Sequence, residues 1–497
     1  MLSKLSSFVD RVENAKGSLS QYFFGLLAVI MMRILLEVFL QSDWDVLMKE
    51  ENLAFTIIHL YLFYFAALIF LVILLFLLTR EDPVRILRLS SLSLVFVLLA
   101  PLLGFFLDWG ERMKYIFSSE GLLSKFLTFC PGVVTDGLRI EVLIICLACS
   151  AYVFLKTKSF FKSALGFLLA YSFIFLLAIL PLILGLFGIG YSESGFAFFF
   201  AIMTLLGLTC FSFIHDRRRL GVLLSNLRFS RVIHYSLMLL LGSYIAYVQS
   251  ADADTFILVC SLLALFFSWE FAVVTNDLED VVCDKISNPK RPLASGALSA
   301  YEMKLFGYVC LLFSLIFAAL ASPMILLLIL FLHAVAYFYS VRPFRMKRFL
   351  FLTNISIGLA SLAAVFIGYS TVFGRGFSLF PPRIALFILV SLSLGAYIKD
   401  IKDYMGDKKD EVFSIMVLLG EVKGKIVTAI LVSLAYLFPL LLFRVSDAII
   451  ISLASVSVMA TFLLILRKRY DEKPIFFIYY LFLICFIFLG GLGIVLS

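Results

Sequence analysis

Long apolar runs recur along nearly the whole chain, and short polar segments separate them. Each run has about 20 residues, enough to cross a hydrocarbon core of roughly 30 Å as a helix. The runs are continuous rather than alternating between apolar and polar residues, which disfavours a transmembrane β-barrel. The pattern therefore predicts an all-α polytopic membrane protein.

Fifteen transmembrane spans are predicted, six in the first half of the chain and nine in the second. A basic connector between residues 215 and 231 separates the two groups, which predicts two domains, residues 1–225 and residues 226–497. We also expect an interfacial helix within residues 108–137. The predicted spans lie near residues 19–40, 53–78, 87–107, 140–155, 163–187, 196–214, 232–250, 255–279, 303–321, 323–341, 350–371, 383–401, 425–443, 448–466 and 475–496.

Composition agrees with this pattern and excludes an ordinary water-soluble protein. Of the 497 residues, 63% are hydrophobic and only 15% are charged, and the mean hydropathy is +1.08. The net charge is +8, and most basic residues fall in alternate loops, whereas the intervening loops are acidic or short. The positive-inside rule then places the N-terminus in the cytoplasm and the C-terminus outside.

Two copies of one acidic pattern, D-x-x-D-x-x-x-D, account for six of the 18 aspartates in the chain. Steps of three and four residues place the three carboxylates of each copy on one face of a helix. Converging carboxylates repel one another unless a cation lies among them, and carboxylate oxygens are ligands of Mg²⁺. The first trio is Asp277, Asp280 and Asp284, and the second trio is Asp400, Asp403 and Asp407.

Basic residues accompany both trios and a third loop on the same predicted cytoplasmic side. Arginine suits bidentate phosphate contacts and lysine acts as a point charge, so the combination predicts a diphosphate site clamped by Mg²⁺. The basic residues are Lys285, Lys290 and Arg291 after the first trio, Lys399 and Lys402 around the second, and Arg342, Arg345, Lys347 and Arg348 in the third loop.

At these residues the sequence resembles the UbiA-type intramembrane prenyltransferase superfamily. Three motifs occur in the family's order, and the nine spans after residue 230 equal the family's number. The resemblance covers the C-terminal half and leaves residues 1–225 outside it. The matching residues are Asn276, Asp277, Asp280, Asp284, Asn288, Pro289, Arg291, Pro292 and Gly296, then Tyr339, Ser340, Pro343, Arg345, Lys347 and Arg348, then Asp400, Asp403, Gly406 and Asp407.

The resemblance implies a nine-helix UbiA-like bundle, preceded here by about six further transmembrane helices. It also implies a prenyltransferase that binds a polyprenyl diphosphate through Mg²⁺ held by all six aspartates of the two trios. We expect Asp280, Asp403, Lys290 and Arg291 to be catalytic. The residues expected to bind the diphosphate are Asn276, Lys285, Arg345, Lys347, Arg348, Lys399 and Lys402.

The sequence does not choose the acceptor of the prenyl group. We expect a lipophilic, membrane-borne acceptor, either a quinone-precursor ring or a glycerol-phosphate lipid, with membrane lipid as a partner and no nucleic acid. Two alternatives stay open: phosphoribosyl transfer to a polyprenyl phosphate, and transport of a divalent cation. The position of the trios beside basic loops argues against transport, because transport sites usually lie near the bilayer midplane.

Three further charged residues fall inside predicted spans. Glu270 lies seven residues before Asp277 and shares its helix face, so it either contacts the acceptor or has a structural partner on another helix. Arg33 and Glu37 are four residues apart in the first span and predict a neutralising pair on a buried face. The first half has no recognisable catalytic cluster, so its role stays open.

Overall fold

The chain is represented by a computed structural model, which describes residues 2–15, 19–40, 50–107, 115–130, 134–186, 192–249, 254–372, 379–409, 412–467 and 470–489. These residues form helices, turns and loops and contain no strand. The chain divides into two compact units, Met1–Gly221 and Val222–Ser497. The all-α fold class is confirmed for the described residues.

The first unit begins with an amphipathic helix, α1, which contains no long apolar run and is not predicted from the sequence. Its polar and apolar residues alternate with helical spacing, and it is too short and too polar to cross a membrane. A 3₁₀ stretch, Leu94–Leu98, joins α4 to α5. The helices are α1 (Leu2–Glu13), α2 (Leu19–Leu40), α3 (Glu50–Thr79), α4 (Pro83–Ser93), α5 (Leu99–Leu107), α6 (Leu122–Leu127), α7 (Asp136–Thr157), α8 (Phe160–Ala178), α9 (Leu180–Gly185) and α10 (Glu193–Ser225).

The second unit contains the helices that carry both acidic trios. A short 3₁₀ turn, Met346–Arg348, lies in its basic third loop. The helices are α11 (Phe229–Gln249), α12 (Thr255–Glu279), α13 (Val281–Ser287), α14 (Ala300–Ala321), α15 (Pro323–Ser340), α16 (Leu350–Tyr369), α17 (Pro382–Gly395), α18 (Ile398–Lys409), α19 (Ile415–Leu442), α20 (Ala448–Leu466) and α21 (Lys473–Leu489).

Each of the fifteen predicted spans overlaps with one or two helices of the structure, and residues 490–496 of the last span lie outside the described residues. In the described residues, 12 helices are long and apolar enough to cross a membrane, or 13 if the bent pair α17 and α18 forms one span. The other two predicted spans correspond to α2 and α21. The short helix α6 lies in the segment where an interfacial helix is expected, and its membrane location stays a prediction.

Local sequence explains where several helices begin. Ser299 and Glu302 form a reciprocal capping box at the start of α14, which satisfies two backbone N–H groups that the first turn leaves unpaired. Ser322 caps α15, whose first residue is Pro323, a position where the missing proline N–H costs nothing. These signals are readable in the sequence because they depend on residues only three positions apart.

Two glycines allow α11 and α16 to approach backbone to backbone. A Cβ atom built on Gly242 would lie 1.9 Å from the carbonyl oxygen of Val365, and one built on Gly368 would lie 1.8 Å from that of Leu239. Helix pairs in membranes pack closely where small residues remove the side chain from the contact. The hydroxyl of Ser243 adds a hydrogen bond to the carbonyl oxygen of Gly368 at 3.0 Å.

Two breaks in the helices position the acidic trios, and a third break lies in α19. Helix α12 ends at Glu279, and α13 begins at Val281, so the first trio does not lie on one continuous helix face as its spacing predicts. Asp280 occupies the break between the two helices. The second trio does lie on one helix, α18, whose axis is bent by 46° from that of α17. Helix α19 has a break at Gly420, which has a positive φ of 76° that favours glycine.

Candidate active site

A cavity of about 760 Å³ lies inside the second unit, and aspartates of both trios line it. Asp280 and Asp284 come from the break and from α13, and all three residues of the second trio come from α18. Asp277 is not a lining residue and is 2% exposed. Helices α13 and α18 pack against each other, so the two predicted acidic motifs meet at one place.

Asp277 anchors the first trio to two arginines. Its Oδ1 accepts hydrogen bonds from Arg228 Nη2 at 2.5 Å and from Arg291 Nη1 at 3.2 Å. Asn226 Nδ2 lies 3.5 Å from its other oxygen. A buried carboxylate requires this compensation, because an uncompensated charge in the interior costs several kcal/mol, on the order of 3–5 when one partner is removed.

Asp280 is held by the basic third loop. Arg345 Nη2 donates to Asp280 Oδ1 at 3.0 Å, and Lys347 Nζ donates to both carboxylate oxygens. Lys347 Nζ also donates to Asn276 Oδ1 at 3.3 Å. Asn276 and Asp280 belong to the first acidic motif, and Arg345 and Lys347 belong to the third loop. The structure brings all four into one polar network.

Asp284 completes the first trio through Arg291. The Arg291 guanidinium donates to Asp284 Oδ2, and Asn288 Nδ2 donates to Asp284 Oδ1 at 3.3 Å. Burial raises the pKa of the Asp284 carboxyl, and the positive charge of Arg291 opposes that shift. Arg291 therefore bridges Asp277 and Asp284, two acids of the same trio.

The second trio has different surroundings. Among the residues that the structure describes, none of its three carboxylates forms an ion pair. The nearby Lys399 Nζ instead donates to the hydroxyl of Tyr339 at 2.8 Å, and Lys402 pairs with Glu472 at 3.2 Å. Lys399, Lys402 and Glu472 all line the cavity, so its two sides differ in how their acids are neutralised.

The rest of the cavity wall is largely apolar and aromatic. Residues of α11, α12, α15, α16 and α21 contribute to it. An apolar wall next to a charged end suits a ligand with a hydrocarbon chain and an anionic head. The aromatic lining residues include Tyr235, Trp269, Tyr339, Phe476, Tyr479 and Tyr480.

Four predicted diphosphate or catalytic residues do not line the cavity. Lys285 and Lys290 are exposed, and Arg348 is partly buried, with its carbonyl oxygen accepting a hydrogen bond from the N–H of Phe413 at 3.0 Å. Arg345 is also outside the lining set but contacts it through Asp280. The roles of Lys285, Lys290 and Arg348 stay predictions.

Two residues that contact the buried acids of α12 are not predicted from the sequence. Asn226 and Arg228 lie in the connector just before α11, where Arg228 was read only as one of several basic residues that orient the chain. Its side chain reaches Asp277, and its backbone N–H donates to Glu270 Oε1 at 3.2 Å. Glu270 is 1% exposed and does not line the cavity, so its contact here is structural.

The donor set fits Mg²⁺ by its chemistry, because five aspartates of the two trios line one cavity and Mg²⁺ prefers oxygen ligands. In the described part of the chain, no group of three or more acidic, histidine or cysteine side chains is already arranged around a common ion position. Arginine and lysine side chains pair with the carboxylates of the first trio. A bound ion would therefore replace them as partners of these carboxylates.

Comparison with known proteins identifies relatives of part of this chain. The chain is 25% identical over 209 residues to digeranylgeranylglyceryl phosphate synthase of Methanobrevibacter smithii, covering 40% of this chain and 72% of the relative. It is 29% identical over 196 residues to the synthase of the same name from Methanococcoides burtonii, covering 38% and 68%.

Solved structures also match, at a low level of similarity. A UbiA homologue from Archaeoglobus fulgidus bound to GPP and Mg²⁺ has a TM-score of 0.41 and 21% identity, covering 52% of this chain and 95% of that one. The model of the UbiA prenyltransferase family matches residues 236–490, just over half of the 497 residues. These residues include both acidic trios and the basic third loop. The chain therefore belongs to the UbiA prenyltransferase family.

Proposed function

We propose that this enzyme transfers a prenyl group from a polyprenyl diphosphate to a glycerol-phosphate lipid, with Mg²⁺ as cofactor. The observation that carries the proposal is that both acidic trios and their basic partners surround one end of a cavity whose other walls are apolar. The relatives named digeranylgeranylglyceryl phosphate synthase support the choice of acceptor. On this basis the donor is geranylgeranyl diphosphate, and the acceptor carries one prenyl chain and a free hydroxyl.

The five aspartates of the two trios that line the cavity would hold the cofactor, and Asp277 would position Arg291, which pairs with it. Bound Mg²⁺ supplies positive charge that stabilises the diphosphate as a leaving group. Arg291 and Lys347 line the same cavity and supply further positive charge. Fixed cations aimed at the place where negative charge develops are among the largest contributions to catalysis.

In the proposed reaction the bond between the allylic carbon and the diphosphate oxygen breaks, and its electron pair leaves with the diphosphate. The acceptor hydroxyl oxygen forms the new bond to that carbon, and its proton passes to the departing diphosphate. The apolar wall that includes Trp269 and Phe476 excludes water, which protects the cation-like carbon from hydrolysis. Lys399, which donates a hydrogen bond to the Tyr339 hydroxyl, would contact the diphosphate from the side of the second trio.

We also propose that the N-terminus and both acidic motifs face the cytoplasm and that the C-terminus lies outside. The support is the alternation of basic loops along the sequence. Orientation matters for function, because a water-soluble diphosphate head made in the cytoplasm then reaches the trios without crossing the membrane.

The test uses purified full-length protein in liposomes with radiolabelled geranylgeranyl diphosphate. Three acceptors are compared: a geranylgeranylated glycerol phosphate, 4-hydroxybenzoate as a quinone-precursor ring, and the liposome lipid alone. We expect a labelled product only with the glycerol-phosphate lipid, with Mg²⁺ present and not with EDTA. Mass spectrometry of the product identifies the new ether bond.

Other outcomes contradict specific parts of the proposal. A labelled product from 4-hydroxybenzoate would keep prenyl transfer but replace the acceptor. No product with either acceptor, together with phosphoribosyl transfer to a polyprenyl phosphate, would replace the reaction itself. Uptake of divalent cations into the liposomes without any transfer would favour a transporter.

A further inference from the structure

A cluster of charged side chains lines the cavity of the second unit without a role in the reaction described above. Glu472, just before α21, pairs with two cations of this cluster. Its Oε1 accepts a hydrogen bond from Lys402 Nζ at 3.2 Å, and its Oε2 lies 3.8 Å from Arg231 Nη2. All three side chains line the cavity, and we call them the Glu472 cluster.

Contacts among three helices fix the Glu472 cluster in place. The guanidinium carbon of Arg231 on α11 lies 4.9 Å from the ring centre of Phe476 on α21, within the range of a cation–π interaction. The hydroxyl of Tyr470 donates to the carbonyl oxygen of Ile398 at 2.7 Å, which fastens the segment before α21 to the start of α18. Two cations from different helices are therefore held at one place.

The Glu472 cluster is accessible and has more positive than negative groups. The side chains of Arg231 and Lys402 are 40% and 57% exposed, and that of Glu472 is 19% exposed. Because two cations share one acid, one positive charge has no ion-pair partner of its own among the described residues. The Arg33–Glu37 pair of the first unit is buried, as the sequence predicts, and offers no such site. An accessible cluster with an excess of positive charge favours an anion.

We propose that Arg231 and Lys402 bind the phosphate of the acceptor lipid, an inference that rests on the proposed transfer to a glycerol-phosphate lipid. Two anions that react in one cavity repel each other unless each has its own cations. Arg291 and Lys347 pair with acids of the first trio and serve the diphosphate in the proposed reaction. The Glu472 cluster supplies separate cations for the second anion.

The position of the Glu472 cluster suits a lipid with a charged head. Asp403 interacts electrostatically with Arg291 and also with Glu472, so the two anion sites are neighbours. Phe476 and Tyr480 are one turn apart on α21, and both line the cavity. The aromatic wall therefore continues from the cluster along α21, and an acceptor with a phosphate head and a prenyl chain matches this order of charged and apolar groups.

This assignment changes the role of Lys402, which is predicted from the sequence to bind the diphosphate. Its Nζ pairs with Glu472 and with no acid of either trio among the described residues. A phosphate suits the combination of Lys402 with Arg231, because the arginine fork can contact two oxygens and the lysine adds a point charge.

The first test compares two acceptors, the geranylgeranylated glycerol phosphate and geranylgeranylglycerol, which is the same lipid without its phosphate. Full-length protein in phosphatidylcholine liposomes receives geranylgeranyl diphosphate and Mg²⁺. For Arg231→Met and for Lys402→Met we expect roughly a tenfold rise in the KM for the phosphorylated acceptor, which corresponds to one hydrogen bond between charged groups. The KM for the donor and the kcat/KM for geranylgeranylglycerol should stay at their wild-type values. Arg231→Lys, which keeps the charge, should recover part of the loss.

The matched control is Lys473→Met, since Lys473 is exposed beside Glu472 but does not line the cavity. This variant should behave like the wild-type protein with both acceptors. An equal loss with both acceptors in Arg231→Met and Lys402→Met would show a structural role and overturn the proposal. A rise in the KM for the donor as large as that for the acceptor would return the cluster to the diphosphate site and would also overturn it.

A second test, thermal unfolding in detergent without donor or Mg²⁺, separates this inference from the proposed function. The phosphorylated acceptor should raise the Tm of the wild-type protein more than geranylgeranylglycerol does, and this difference should shrink in both methionine variants. Binding of this kind without any prenyl transfer would contradict the proposed reaction and not the phosphate site. Equal stabilisation by the two lipids would overturn the inference, and so would equal stabilisation by phosphatidylglycerol, a bilayer lipid whose phosphate is a diester.

Discussion

Asp280 and Asp403 occupy the middle positions of the two trios but differ in their neighbours. Arg345 and Lys347 hold Asp280, whereas Asp403 forms no ion pair with a described residue. Both line the cavity of about 760 Å³ in the second unit. If both bind the same metal-diphosphate complex, losing either carboxylate should have a similar effect on turnover despite this difference.

We predict that Asp280→Asn and Asp403→Asn each lower kcat by at least about 100-fold, because each removes a carboxylate that would hold the Mg²⁺ whose charge stabilises the departing diphosphate. Folding should be retained, as judged by thermal unfolding in detergent. The control is Glu421→Gln, an exposed acid on α19 that pairs only with Lys425 in the described residues. Wild-type turnover in both aspartate variants would show that the trios do not bind the metal.

Lys347 leads to a prediction about donor binding. The Lys347→Met variant should raise the KM for the prenyl diphosphate by roughly 10-fold to 100-fold, the range for losing a hydrogen bond between charged groups. The exposed Lys304→Met variant on α14 is the control. Steady-state kinetics with the donor as the varied substrate measures the effect, and an unchanged KM would remove Lys347 from the diphosphate site.

Lys290 can be tested in the same assay. It was predicted to be catalytic because it follows the first trio, yet the structure leaves it exposed and outside the cavity wall. Sequence spacing identifies which acids share a region, but it does not fix the direction of a side chain in the loop that follows. A rise in the KM for the prenyl diphosphate in Lys290→Met as large as that in Lys347→Met would mean that this loop closes over the bound donor.

At the scale of helices, the approach of α11 and α16 depends on Gly242 and Gly368. We predict that Gly242→Ala and Gly368→Ala each destabilise the protein by about 1–3 kcal/mol, the usual cost of forcing atoms into a packed contact. Gly25→Ala on α2 is the control, because its Cβ would meet no atom within 4 Å. Thermal unfolding of the three variants, followed by tryptophan fluorescence, measures the difference.

The positions of helices were predicted better than their breaks. Apolar runs located the spans because a bilayer demands about 20 apolar residues whatever the tertiary packing. The break at Asp280 was not predicted, since the spacing of the trio is equally compatible with a continuous helix. Helix α1 was missed for a related reason, because an amphipathic helix of 12 residues contains no apolar run.

At the scale of the whole molecule, the family match begins at residue 236, after the connector that contacts the first trio. Val222 and Leu223 also pack against a core of Val274, Leu298 and Met303. The second unit therefore needs residues that the family match does not include. The separate folding of residues 226–497 and that of residues 1–225 both stay predictions.

Two truncations test this boundary. A chain that begins at residue 222 should fold and retain prenyl transfer, because it keeps the core contacts and Arg228. A chain that begins at residue 229 should fold less stably and lose most of its activity, because Asp277 then keeps only Arg291 as an ion-pair partner among the described residues. Size-exclusion chromatography and the transfer assay compare the two, and equal behaviour would show that the connector is dispensable.

The unequal neutralisation of the two trios has a consequence for how a charged head enters a site surrounded by lipid. The side chains of Arg291 and Lys347 already balance acids of the first trio, so this side of the cavity has few unmatched charges before a donor binds. An incoming anion can pair with Arg291 and Lys347, while the cations that accompany it pair with the aspartates. Binding is then an ion exchange, in which partners are swapped and little net charge has to be moved into a medium of low dielectric constant.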